Sequence, residues 1–366
     1  MTVVTFIAVL VALIVAHEFG HFVAAKIAGM RVDEFGLGYP PRALTIGKWG
    51  GTEYTLNWLP FGGFVKIYGE DGDAVAKDTR AFGARPRILQ ALVLIAGIAM
   101  NLLFAYVLIT GALVSGTPRA LSPGEIVHAT ETQLAVADVF PSSPAELAGI
   151  KAGDVILSAE DGHRAFSGFD PAEFSAFVEQ AGGNATVTLH LRHADGSKET
   201  LFVRPAAGLV SDDPSRYALG VAVATIGVMP LSFGEAIIEG AQLTGGTIVI
   251  TTEGLWHFFF GVFTLSADLS QVSGPIGIAG AVGGASVQGL GNLLSIVAII
   301  SINLALINLI PVPALDGGRL LFVLVESVIR RPIKPSIARA VNAVGFAFLV
   351  LLMVVVTAHD IFKLAG

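Results

Sequence analysis

The stretch Ala16-His17-Glu18-Phe19-Gly20-His21-Phe22 lies inside an unbroken apolar run from Val3 to Ala25. At ~1.5 Å of rise per residue such a run crosses the ~30 Å hydrocarbon layer of a bilayer as a helix. Helical periodicity then puts His17 and His21 one turn apart on one face, where two imidazoles can share a metal ion. Glu18 stands beside that ion, placed to take a proton from a water whose pKa the metal has lowered, which yields a nucleophile for carbonyl attack. The bland alternative is an inert, hydrogen-bonded trio packed polar side in. Against it, an ionisable group in hydrocarbon costs ~2.5 to 3.5 kcal/mol, so three within five residues need a compensating role.

Composition agrees with a membrane setting. Of 366 residues, 53% are hydrophobic and 14% charged, and the mean hydropathy is +0.72, outside the range of ordinary soluble domains. With no cysteine, any metal must be held by His and carboxylate. The net charge of −7 is unevenly spread. The loop from Lys26 to Arg87 carries nine basic residues, whereas Gly116 to Gly289 holds eighteen acidic and seven basic ones. By the positive-inside rule the first loop is cytoplasmic, and the N-terminus and the acidic block are external. The flank before Val3 has no Lys or Arg, so the first run is expected to be a retained span.

Further along, Glu53 to Leu59 and Gly63 to Tyr68 are β-rich runs separated by Pro60-Phe61-Gly62, read as a hairpin or small sheet. A second span is expected over Ile88 to Val114; its Asn101 is assigned to helix packing. Between Glu131 and Pro205 the composition turns to that of a soluble α+β module. It has a short helix ending at Gly149, a helix over Pro171 to Gln180, and two strands joined at Ala194-Asp195-Gly196. Gly234 to Ile250 is helix-like but acidic, and Leu255 to Phe260 is aromatic-rich, as at a membrane interface; neither is counted as a span.

The third span begins near Leu290 and reaches Asn308-Leu309-Ile310-Pro311-Val312-Pro313-Ala314-Leu315-Asp316-Gly317-Gly318. Two prolines at that spacing cannot both sit in a regular helix, so the helix must break. Broken backbone at membrane depth is tolerated only in protein or against a wet cavity, which is where a catalytic site belongs. Asp316 follows the break on what reads as an adaptable Asp-Gly turn. His17 lies roughly 20 Å along its own helix, so the two sites converge at similar depth. His17, His21 and Asp316 would give three protein ligands with a fourth position open, the catalytic arrangement for zinc. After a stretch too short to span, a fourth span over Ile337 to Thr357 returns the C-terminus outside.

The H-E-F-G-H of the first span and the N-x-x-P-x-P-x-L-D-G about 300 residues later together resemble the site-2 protease family of intramembrane zinc proteases, of the bacterial RseP type. The stretch SSPAELAGIKAGDVIL between them resembles a circularly permuted PDZ domain. The resemblance implies a polytopic α-helical membrane protein of four transmembrane helices, with a membrane-associated β-hairpin or sheet and an inserted α+β PDZ domain. Divided accordingly, 1–115 carries spans one and two, 129–206 the periplasmic PDZ domain, 207–289 an interfacial segment, and 290–366 spans three and four. It implies one Zn2+ on His17, His21 and Asp316, with Glu18 as the catalytic base. Asn308, Pro311 and Pro313 would hold the substrate, and the β-rich loop with Tyr54, Gly63 and Phe64 would present it.

The substrates implied are single-pass transmembrane proteins, among them pre-cleaved anti-sigma factors and remnant signal peptides. The PDZ domain would take a peptide or protein ligand, and nucleic acid would not be a partner. The location implied is the bacterial inner membrane, with both termini and the PDZ domain periplasmic and the site toward the cytoplasm. A non-proteolytic PDZ scaffold would need neither Glu18 nor zinc. A metal transporter would need more intramembrane carboxylates or histidines than these spans offer.

Overall fold

The computed structural model describes residues 2–70, 78–122, 124–193, 196–209, 213, 215–264, 266, 273–331 and 333–365. In chain order it forms α1 (Thr2–Ile27), β1 (Val32–Trp49), β2 (Thr52–Ile67), α2 (Arg87–Ser115), β3 (Pro118–Ala120), β4 (Thr130–Val139), α3 (Pro144–Leu147), β5 (Val155–Glu160), β6 (Ala165–Phe166) and α4 (Pro171–Ala181). These are followed by β7 (Val187–Arg192), β8 (Lys198–Val203), β9 (Val221–Val228), α5 (Phe233–Thr264), α6 (Pro275–Gln288), α7 (Leu290–Leu309), α8 (Asp316–Ile329) and α9 (Pro335–Ala365). Two compact units result: Met1–Ala112 with Phe233–Gly366, and Leu113–Ser232.

Among the described residues of the first unit, four helices are long and apolar enough to cross a membrane: Val3–Ile27, Arg87–Ser115, Leu290–Leu309 and Ser336–Phe362. These are the four spans expected from the sequence. Helix α5 is one continuous element of 32 residues, joining two stretches that the sequence reading kept apart. No proline interrupts it, and it crosses α2 where Gly240 lies against Thr110 and the Tyr106 hydroxyl donates to the Ile237 carbonyl at 3.2 Å. Helices α6 and α7 pack on α1 through a core of Val9, Leu13, Val282 and Val297.

The β-rich loop departs from expectation. Both runs read as separate strands belong to β2, and the turn of the hairpin falls after Trp49, at Gly50-Gly51. The partner strand β1 went unread because its Gly36, Gly38 and Pro40-Pro41 discourage a strand assignment. Each long strand folds into two legs. Residues Glu34 to Leu37 pair on one side with Glu53 to Leu56 and on the other with Gly63 to Lys66, while Leu44 to Trp49 pair with Thr52 to Leu56. The Gly63–Ile67 leg is therefore an edge. Phe22 of α1 clamps the sheet, its ring 5.6 Å from Phe35 and 6.1 Å from Tyr54.

The second unit is an antiparallel sheet in the order β3-β9-β4-β5-β7-β8, with β6 on β5. Its core is built from Leu134, Val136, Ile156, Phe174, Phe177, Leu189 and Leu191. Helices α3 and α4 begin where their caps predict: the Ser143 hydroxyl accepts from the Glu146 amide and the Asp170 carboxylate from Ala172. The unit extends past the 129–206 read from sequence, because β9 pairs along β4 from Val139 to Thr130. A strand whose partner lies some 90 residues away carries no local sign of that pairing. Of the expected β7–β8 turn, Ala194 and Asp195 lie outside the described residues.

Candidate metal centre

Helix α1 brings His17 and His21 to one face, with ring centroids 4.8 Å apart and planes at 86°. Opposite them, α7 ends at Leu309 and the chain runs extended through Ile310 before a tight turn closed by the Val312 amide on the Ile310 carbonyl at 2.7 Å. Ala314 takes a positive φ of 77°, and α8 then starts at Asp316. Asp316 is thus the first residue of a helix rather than part of a free turn. Helix α8 in turn fixes its carboxylate. Arg319, one turn on, pairs with Glu70 at 2.7 Å, tying the start of α8 to the segment that follows β2.

The donor atoms converge. Asp316 Oδ2 lies 2.9 Å from His17 Nε2 and 3.2 Å from His21 Nε2, and the two Nε2 atoms are 3.2 Å apart. A tetrahedral ion with bonds of about 2.1 Å needs ligand atoms about 3.4 Å apart, so the set fits one small ion with slight expansion. Imidazole and carboxylate donors suit zinc. His21 is turned for the purpose: its Nδ1 donates to the Val93 carbonyl at 2.8 Å. A carbonyl only accepts, so the proton sits on Nδ1 and the Nε2 lone pair is free.

Gly97 of α2 makes room for this ring, since a Cβ there would lie 2.3 Å from His21 Nε2.

A cavity of about 410 Å³ opens on the donor set, lined by His17, Glu18, His21, Gly63, Phe64 and Asp316 among others. Glu18 thus shares the space with the donors. The β2 edge passes close by because residue 63 is glycine: a Cβ there would meet Ile14 Cγ2 at 2.8 Å and Glu18 Cγ at 3.3 Å. Tyr54, Asn308, Pro311 and Pro313 do not line this cavity. Tyr54 packs in the aromatic group that seats the sheet, its ring 6.0 Å from Phe35 and 5.1 Å from Trp49. Pro313 lies against Gly345 of α9.

Asn101, expected from the sequence to serve helix packing, does more than that. In the structure its side chain reaches His17 Nδ1 at 3.2 Å. That contact depends on which face of α2 meets α1, so nothing local in the sequence marks it.

The chain is similar to known proteins along nearly its whole length. The model of peptidase family M50 matches residues 5–352. A Clostridium perfringens protein named "Putative zinc metalloprotease" is 35% identical over 350 residues, spanning 96% of this chain and 95% of the relative. The "Zinc metalloprotease RasP" of Shouchella clausii is 27% identical over 99% of both. A PDZ domain from a Listeria monocytogenes SdrC-like protein aligns with 25% of this chain and 86% of its own at 22% identity and a TM-score of 0.21. The chain belongs to peptidase family M50, among the membrane-embedded proteases of the site-2 type. It is a zinc metalloprotease.

Proposed function

We propose that this protease cuts a transmembrane segment of another membrane protein, with His17, His21 and Asp316 holding one zinc ion and Glu18 acting as general base. The carrying observation is that three donor atoms from α1 and the start of α8 meet within 3.2 Å of one another, in a cavity that Glu18 also lines. Zinc, when bound, supplies a Lewis acid that polarises a carbonyl and makes water more acidic. Glu18 accepts the proton lost by the attacking water and returns it to the departing amine.

A helical substrate hides its amides, so it must unwind before it can be cut. The edge leg Gly63–Ile67 supports a way to do this: an extended segment pairs with it as an added strand, replacing the helical hydrogen bonds beside the donor set. Gly63 and Phe64 then contact the substrate. Asn308, Pro311 and Pro313 serve the break that delivers Asp316, and Tyr54 serves the seat of the sheet.

Single-pass proteins such as pre-cleaved anti-sigma factors, and remnant signal peptides, are the substrates we assign. The second unit, in which β9 contacts α4 and the Thr225 hydroxyl donates to the carbonyl of Phe169, just before that helix, at 2.7 Å, is assigned as a PDZ domain that binds an extended peptide. We assign the protein to the inner membrane with this unit periplasmic, an orientation supported by the basic loop between spans one and two. The test is Glu18→Gln in purified protein given a reporter transmembrane peptide. Cleavage falls by about 10³-fold while zinc content stays at the wild-type level. Retained cleavage, or loss of the zinc with the activity, contradicts the role given to Glu18.

A further inference from the structure

Asn101 lies in mid-α2 and is fully buried. Its Nδ2 faces His17 Nδ1 at 3.2 Å, and its Oδ1 is buried without a hydrogen-bond partner among the described residues. Its backbone carbonyl accepts from the Ser301 hydroxyl of α7 at 2.8 Å. The residue therefore joins α1, α2 and the helix that leads to Asp316. A carboxamide oxygen shut away from water without a donor is costly, and such groups call for an explanation.

The chemistry of His17 gives one. Its Nε2 points at Asp316 and His21, and that atom can offer a lone pair to a metal only if the ring proton sits on Nδ1. An Nδ1–H against an amide NH2 sets two donors face to face. Turning the carboxamide over by half a turn brings Oδ1 to the imidazole proton and removes the conflict. We propose that Asn101 is the positioning residue of His17, its side-chain oxygen accepting the Nδ1 proton whenever zinc is bound. This rests on the reading of His17 as a ligand. It makes α2 the source of the outer partner for both imidazoles, the Val93 carbonyl for His21 and the Asn101 side chain for His17. The bond fixes the tautomer and the plane of the ring, which outer partners of metal-binding histidines do generally.

The test measures zinc affinity of the full-length protein in detergent by competition with a chelator. Asn101→Leu, similar in volume but without an acceptor, is expected to bind zinc about 10- to 100-fold more weakly. Asn101→Asp, which can only accept, is expected to bind at least as tightly as wild type. The visible absorption of the cobalt-substituted protein should shift in the Leu variant and not in the Asp variant. Ser301→Ala removes a buried interhelical hydrogen bond at the same level without touching His17, and should leave affinity unchanged. The proposal is overturned if Asn101→Leu binds like wild type, if Asn101→Asp is as weak as Asn101→Leu, or if Ser301→Ala weakens binding equally. His17→Ala, run alongside, separates the two layers. Full zinc retention there removes His17 from the ligand set itself, whereas its loss there with a silent Asn101→Leu removes only the role of Asn101.

Discussion

A single methyl group is enough to probe the centre, because helix α2 leaves the His21 ring no spare room. A Cβ at residue 97 would sit 2.3 Å from His21 Nε2. Gly97→Ala must therefore displace the ring or the helix, a clash of the kind that costs about 1 to 3 kcal/mol. Zinc affinity should fall at least tenfold, read by chelator competition. Gly111→Ala serves as its control, since there a Cβ would meet only Leu294 Cδ1 at 3.6 Å; affinity should stay unchanged. Equal affinity in both variants would contradict the tight α1–α2 contact at His21.

In the second unit the residue to watch is His193. Its Nδ1 bonds Asp154 at 2.8 Å and its Nε2 bonds Glu199 at 2.9 Å, and these two carboxylates, Asp154 foremost, raise its pKa above the ordinary 6.5. A raised histidine stabilises the fold fully below its unfolded value of ~6.5, and that contribution is lost as pH climbs through the higher folded value. Two carboxylates pull the other way in pH. Glu125 is held at about 2 by the Ser122 amide and Arg119, and Asp161 at about 2 by Arg164 and the His163 amide. Depressed carboxylates contribute above their unfolded values of ~4 and fade only in acid, so they leave the neutral window to His193. The melting temperature of this unit within the full chain should drop from pH 6 to pH 8, and His193→Gln should flatten that slope. An unchanged slope would remove His193 as its source.

At the scale of elements, the edge leg of β2 is the strand that a substrate would extend in the function proposed above. Gly63→Val inserts a branched side chain between the strand and Ile14 of α1, pushing the edge away from Glu18. Cleavage of a reporter segment should fall by an order of magnitude or more with zinc content intact; wild-type cleavage would argue against strand addition at this edge. The sequence made the helices and the donors legible for physical reasons: long apolar runs, a one-turn His spacing and a double proline leave few alternatives. It could not show that β1 and β2 fold into four legs, because register in a glycine- and proline-rich hairpin is set by packing on Phe22 and its neighbours. Nor could it show β9 closing the second sheet, or Asn101 reaching His17, since both depend on which faces meet. Asp316 at the head of α8 rather than on a loose turn belongs with these.

For the molecule as a whole, two compact units with separate cores predict two unfolding transitions. A ligand that binds only the folded state stabilises the unit that holds it. Removing zinc with a chelator should therefore lower the transition of the unit carrying α1 and α8 and leave that of Leu113–Ser232 where it was. A shift of the second transition instead would place metal elsewhere in the chain. The central claim joins residues 295 positions apart in one site, and zinc titration of purified Asp316→Ala tests it most directly. Wild-type protein should bind one zinc per chain tightly, and the variant, with only two imidazoles left, should bind it at least a hundredfold more weakly. An Asp316→Ala protein that takes up zinc as tightly as wild type would contradict the account.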